Sequence, residues 1–181
     1  MVRIHDRPPG VDERLVLGHW EGDLIKGKGN WISVGTIVER TTLFTVLAKM
    51  ESATAASAVN GFSHMLNRIE GQKRLSMTCD QGREMARHAE LTRNTGVKAY
   101  FADPHSPWQR GINENTNGLL RQYLPKGEDL SVFTQEDLDA IAWELNSRQR
   151  KSLGFKCPAE LFAPDAFDFR QHDAALFALQ P

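Results

Sequence analysis

Residues 18–48 read G-H-W-E-G-D-L-I-K-G-K-G-N-W-I-S-V-G-T-I-V-E-R-T-T-L-F-T-V-L-A, and three strands can be laid along them. Between Gly18 and Ile25, strand geometry sends Trp20, Gly22 and Leu24 to one face and Glu21, Asp23 and Ile25 to the other. Lys26-Gly-Lys-Gly-Asn30 is a turn signal. Trp31 to Glu39 and Thr42 to Ala48 are rich in β-branched residues. With only Arg40 and Thr41 between them, these two runs are expected to pair as a hairpin.

Working outward, Ser52 can cap a helix that carries Ala55, Val59, Phe62, Leu66 and Ile69 and stops at Gly71. Arg74 to Cys79 reads as a short buried strand. A second helix is expected around Glu84 to Thr95, ending at Gly96, and a further strand over Val97 to Phe101. Thr134 begins a helix bearing Leu138, Ile141, Ala142 and Leu145, with Asp137 completing a capping-box-like start. The element order predicts an α/β fold with a mixed five-stranded sheet, three antiparallel strands plus two crossover strands, flanked by helices. Residues 18–163 form the expected domain. Residues 1–17, with Pro8, Pro9 and Gly10, read as a linker or arm to something upstream, and 164–181 as a helical tail.

The chain has 181 residues, enough for one domain with a proper core, and 40% hydrophobic with 25% charged residues is ordinary for a globular protein. No apolar run approaches the about 18 residues of a membrane span, and the start is not a signal peptide. A cytoplasmic setting is expected. Cys79 and Cys157 lack metal-ligand spacing and read as small buried residues. A net charge of −1 gives no global basic signal for nucleic acid, so any such binding needs local clusters of cations.

The stretch from Tyr100 to Gly127, Y-F-A-D-P-H-S-P-W-Q-R-G-I-N-E-N-T-N-G-L-L-R-Q-Y-L-P-K-G, has the texture of a site. On a helical wheel from Ile112, Leu119, Leu120 and Tyr123 cluster, while Glu114, Arg110, Arg121 and Asn117 fall opposite. Asp23 lies within a strand expected to be central. Asp80 sits where a buried strand runs out into a loop, the edge at which ligands bind in sheets with crossover helices. Singly, each acid has an ordinary reading: a solvated helix face, a turn former, an edge residue. Together Asp23, Asp80 and Glu114 suit hard divalent cations, Mg²⁺ or Mn²⁺. Two such ions about 3.5–4 Å apart serve phosphoryl transfer. Glu21, on the strand face of Asp23, is an understudy ligand and Glu84 a weaker one, while His88 reads as structural unless its helix points it at the site.

The segments G-H-W-E-G-D-L-I, T-C-D-Q-G-R-E-M-A-R-H and the Tyr100–Gly127 stretch closely resemble the insertion-sequence-30 family of bacterial transposases, over about Leu17 to Pro158. The resemblance implies a ribonuclease-H-like fold and an integrase-like catalytic domain in which Asp23, Asp80 and Glu114 are the catalytic and metal-holding acids. It also implies Mg²⁺ or Mn²⁺ as cofactor, DNA ends and target DNA as partners, a dimer or larger assembly, action at the nucleoid, and a helix-turn-helix region upstream. Gln81 and Gln149 depart from the family pattern without touching the acids. DNA contacts are expected from His105, Trp108, Arg110, Asn113, Asn117, Arg121 and Lys126. Trp108 reads equally as a core plug beneath the helix, and Ser106 and Gln109 as ends of a capping box. The rival readings are a ribonuclease-H-like nuclease without strand transfer, or a non-catalytic DNA-binding module.

Overall fold

β2 (His19–Lys26) is the strand from which the rest of the sheet is laid out. It pairs antiparallel with β3 (Ser33–Glu39) on one side and parallel with β5 (Ser76–Cys79) on the other. β3 turns back into β4 (Thr45–Lys49), and β5 is followed by the parallel β6 (Lys98–Phe101). This computed structural model describes residues 1–167. The expected tail helix over 164–181 falls largely outside them.

The sheet has six strands, not five. β1 (Val2–Arg3) lies parallel to Tyr100 and Phe101 at the edge, giving the order β1-β6-β5-β2-β3-β4. Residues expected to form a free arm are therefore packed down, and Ile4, Arg7 and Val11 are buried. A two-residue strand has no periodicity to read, and the prolines after it mimic a linker.

The hairpin connection also differs from its expected two residues. The Glu39 carboxylate, fully buried, accepts hydrogen bonds from Thr41 N, Thr42 N and Thr42 Oγ1, at 2.9, 2.7 and 2.8 Å. These bonds hold Thr42 in the turn and delay β4 to Thr45, with Leu43 at φ 61°.

α1 (Ala55–Asn67) starts at Thr54, whose hydroxyl accepts from Ser57 N. Ser52 lies outside the helix and bonds Thr54 instead. α1 and α2 (His88–Thr95) cover one sheet face over a core that includes Trp20, Ile37, Phe62, Met77 and Phe101. Burying such side chains is worth about 1.5–3 kcal/mol each. β2 and β5 approach so closely on this face that a Cβ on Gly22 would meet Met77 Sδ at 2.9 Å. The opposite face is covered by α3 (Gly111–Leu120) and α4 (Gln135–Asn146), where Leu120, Leu138 and Leu145 meet Ile25, Val34 and Leu47. α4 begins with the expected Thr134–Asp137 capping box. A short α5 (Pro158–Phe162) brings Phe162 onto Phe44, stacked at 4.2 Å between ring centroids. Cys79 and Cys157 are both buried and free, as expected.

Candidate active site

The register of β2 on β5 pairs Glu21 with Thr78, so two residues further along Asp23 and Asp80 come level on the face below α3. Asp80 closes β5, and its Oδ1 accepts from Gly82 N at 3.2 Å. Asp23 Oδ1 accepts from Leu24 N at 2.9 Å, and Asp23 Oδ2 from Asn117 Nδ2 at 3.0 Å. The Arg110 guanidinium lies between the two acids, Nη1 at 3.5 Å from Asp23 Oδ1 and Nη2 at 3.7 Å from Asp80 Oδ2. Burial pushes the Asp23 carboxyl above the usual carboxylate range. Arg110 pulls the other way, and the neighbouring Asp80 charge adds to the rise.

α3 runs along β2 and is pinned to it by amides. Asn113, fully buried, donates its backbone N–H to Glu21 Oε2 at 3.0 Å, and its Oδ1 accepts from Thr36 Oγ1 at 2.9 Å. One turn on, Asn117 holds Asp23. Glu114 stands exposed on the neighbouring side of the helix. The structure thus brings Asp23 and Asp80 together and sets Glu114 outside that contact. Among the described residues, no three His, Cys, Asp or Glu side chains gather as a metal cluster. The donor chemistry nonetheless suits a hard divalent cation. Two carboxylates face one counter-ion, and the buried Asn117 Oδ1 beside them has no partner.

Glu21 is not available as a ligand. It is 1% exposed and ion-paired at 2.5 Å with Arg40, itself 6% exposed. Burial raises the Glu21 carboxyl and lowers the Arg40 guanidinium, and their attraction offsets both. His88 donates from Nδ1 to Met85 O and packs edge-on against Phe101, a structural role. Burial likewise pushes the Cys79 thiol up, which keeps it inert beside the site.

Trp108 is 73% exposed and plugs no core. The segment before α3 is a 3₁₀ turn, Pro107–Arg110, with no side-chain cap from Ser106. Gln109 reaches back to Asp103 instead, accepting from its N–H at 2.8 Å. His105 and Lys126 are exposed, and His105 has φ 58°. Arg121 donates to the carbonyls of Lys26 and Leu124, closing the end of α3. Sequence reasoning passed over Thr36, Arg7 and Arg40. Arg7 donates to Thr78 Oγ1 and pairs with Asp12. A cation among prolines carries no pattern that announces burial.

Residues 14–107, more than half of the chain, match the integrase core domain. The chain belongs to the integrase core domain family. In this integrase core the matched span includes Asp23 and Asp80 and ends before α3. The chain is 61% identical over 163 residues to the transposase for insertion sequence element IS1086 of Cupriavidus metallidurans, covering 90% of this chain and 48% of that protein. It is 46% identical over 158 residues to transposase InsI for insertion sequence element IS30A of Escherichia coli, covering 87% and 41%. The integrase core thus spans about half the length of these curated relatives. Its fold matches the catalytic core domain of BIV integrase at TM-score 0.58 and 17% identity, covering 81% of this chain and 93% of that one. A chain of the simian T-cell lymphotropic virus intasome in complex with PP2A regulatory subunit B56 gamma matches at TM-score 0.64 and 17% identity, covering 82% and 55%. The fold is ribonuclease-H-like, as the resemblance implied.

Proposed function

We propose that this integrase core is the catalytic domain of a transposase that cuts DNA at element ends and joins the 3′-hydroxyl to target DNA. The observation that carries the reading is the meeting of Asp23 and Asp80 on adjacent parallel strands, with a single guanidinium between them. The 61% identity to a transposase supports it. Asp23, Asp80 and Glu114 would hold Mg²⁺ or Mn²⁺, which when bound polarise the phosphate and generate an oxygen nucleophile.

The chain's own groups do the rest. Asn117 fixes one Asp23 oxygen, and the Gly82 N–H fixes one of Asp80, so the carboxylates are aimed before substrate arrives. Arg110 balances their charge and stands where a phosphodiester oxygen would enter. Displacement at phosphorus is in line, by water in cleavage and by the 3′-hydroxyl in joining, with no covalent protein–DNA intermediate. DNA is the partner, and holding two ends calls for two or more copies of the protein.

Mn²⁺ titration of the chain tests the metal site directly, with Asp80→Asn and Glu114→Gln as controls. Binding is expected to be lost in Asp80→Asn and weakened in Glu114→Gln. A folded wild type that binds no Mn²⁺ sinks the enzymatic reading, and an unchanged Glu114→Gln removes that acid from the site. With Mg²⁺ and DNA carrying element ends, nicked and joined products are expected. Nicks without joined product would reassign the chain as a nuclease.

A further inference from the structure

Across the N-terminal end of α3 from the acids lies a basic trough that the catalytic reading leaves unused. One part, a cavity of 870 Å³, is lined by Arg14, Arg150 and Lys151 with no carboxylate, over a floor that includes Leu43, Ile112 and Leu119. The other, of 330 Å³, contains Arg7, Arg14 and Arg40 against Asp12 and Glu21, and reaches Trp108 and Gln109. Arg14 and Gly111 line both, so the two are continuous around the helix end. Five cations face two carboxylates there, in a chain whose net charge is −1. The two carboxylates are already committed, Glu21 to Arg40 and Asp12 to Arg7. Arg7 and Arg40 are both over nine-tenths buried with their Nε atoms unpartnered, and because their charges are matched by the two carboxylates, the excess of positive charge falls to Arg14, Arg150 and Lys151. Burial and the nearby Arg7 and Arg14 lower the Arg40 guanidinium, while Glu21 raises it.

We propose that this trough is a second DNA-binding site, which takes the backbone of the strand leading away from the Asp23–Asp80 pair. Its chemistry fits a polyanion with flat apolar parts. Arginine and lysine meet phosphates, the apolar floor and exposed Trp108 meet base faces, and Asn115 and Ser152 add polar groups to the same lining. An acidic peptide would use the cations and leave Trp108 and the floor idle. The site rests on the DNA reading above and extends it from the scissile phosphate to the flanking strand.

Arg14 and Lys151 are both exposed, so Arg14→Ala/Lys151→Ala should fold normally, which thermal unfolding verifies. The probe is a fluorescein-labelled DNA duplex with a single-stranded overhang, read by anisotropy between about 50 and 300 mM salt. The double variant is expected to bind about tenfold more weakly at low salt, with its log–log salt slope reduced by about 1.5–2. Lys98→Ala, on the far strand end, should reduce affinity by less than twofold. Equal weakening by Lys98→Ala, or an unchanged slope in the double variant, would overturn the proposal. So would competition by polyglutamate of matched charge as strong as that by unlabelled DNA. Asp80→Asn separates the two readings, because it should lose Mn²⁺ while keeping the wild-type salt slope. Loss of the slope effect with Mn²⁺ binding intact refutes the trough alone.

Discussion

Replacing Arg110 by alanine removes the cation that, among the described residues, Asp23 and Asp80 share. At an effective dielectric of about 20, each of the two contacts near 3.6 Å is worth about 4–5 kcal/mol, and in water about 1. Asp80 is 40% exposed, so its contact belongs near the water value, while Asp23 at 22% and Arg110 at 12% lie further in. After the desolvation of the guanidinium is offset, a net loss of about 2 kcal/mol is expected. For a domain of this size that lowers the melting temperature in EDTA by about 4–8 °C. Arg110→Lys keeps a charge without the planar fork and should fall between. Adding Mn²⁺ should stabilise the alanine variant more than the wild type, because the cation then meets two carboxylates with no competitor. A melting temperature within about 1 °C of wild type in EDTA, with an equal Mn²⁺ response in both proteins, would refute the counter-ion role.

Glu21→Gln strands the buried Arg40 and should cost about 3–5 kcal/mol, measured by denaturant unfolding, whereas Glu21→Met with Arg40→Met should recover most of it. The folded Asp23 carboxyl titrates above its unfolded value, so the fold favours its protonated form and loses stability as pH rises through that raised window. Asp23→Asn should therefore be more stable than wild type at neutral pH, with the advantage shrinking as pH falls towards about 4, near the unfolded carboxyl value. An advantage equal at both ends of a melting series against pH would contradict this. Trp108→Ala should leave the melting temperature within about 1 °C. It should weaken overhang DNA about tenfold, the cost of one lost stack.

How much of this was readable in the residues depends on what kind of signal each part leaves. β2, β3 and β4 were legible because β-branched runs between turn signals have few other uses. The meeting of Asp23 and Asp80 followed from parallel strands that end at one edge of the sheet. α3 was read with its apolar side inward, so Asn117 fell with Glu114 on the outer face. In the structure the sheet beneath it offers Glu21, Asp23 and Thr36, and a polar surface draws amides inward as firmly as an apolar one draws leucine. A wheel ranks faces by hydrophobicity and cannot know that the partner surface is charged. Arg110 was assigned to phosphate because its carboxylate partners lie far off in sequence. β1 was missed because two residues have no period.

Asn113 and Asn117 grip the sheet from within α3, whereas Arg110 hangs on the separate turn that precedes it. Gly111 joins the two, and a Cβ placed on it would meet nothing within 4 Å. Anchorage and charge balance are thereby carried by different side chains on two successive segments. A move of the Arg110 guanidinium from the acids to an arriving phosphate would break neither the Asn113 bonds to Glu21 and Thr36 nor the Asn117 bond to Asp23. Such an exchange of ionic partners would leave in place the Asn117 and Gly82 bonds that aim the two carboxylates.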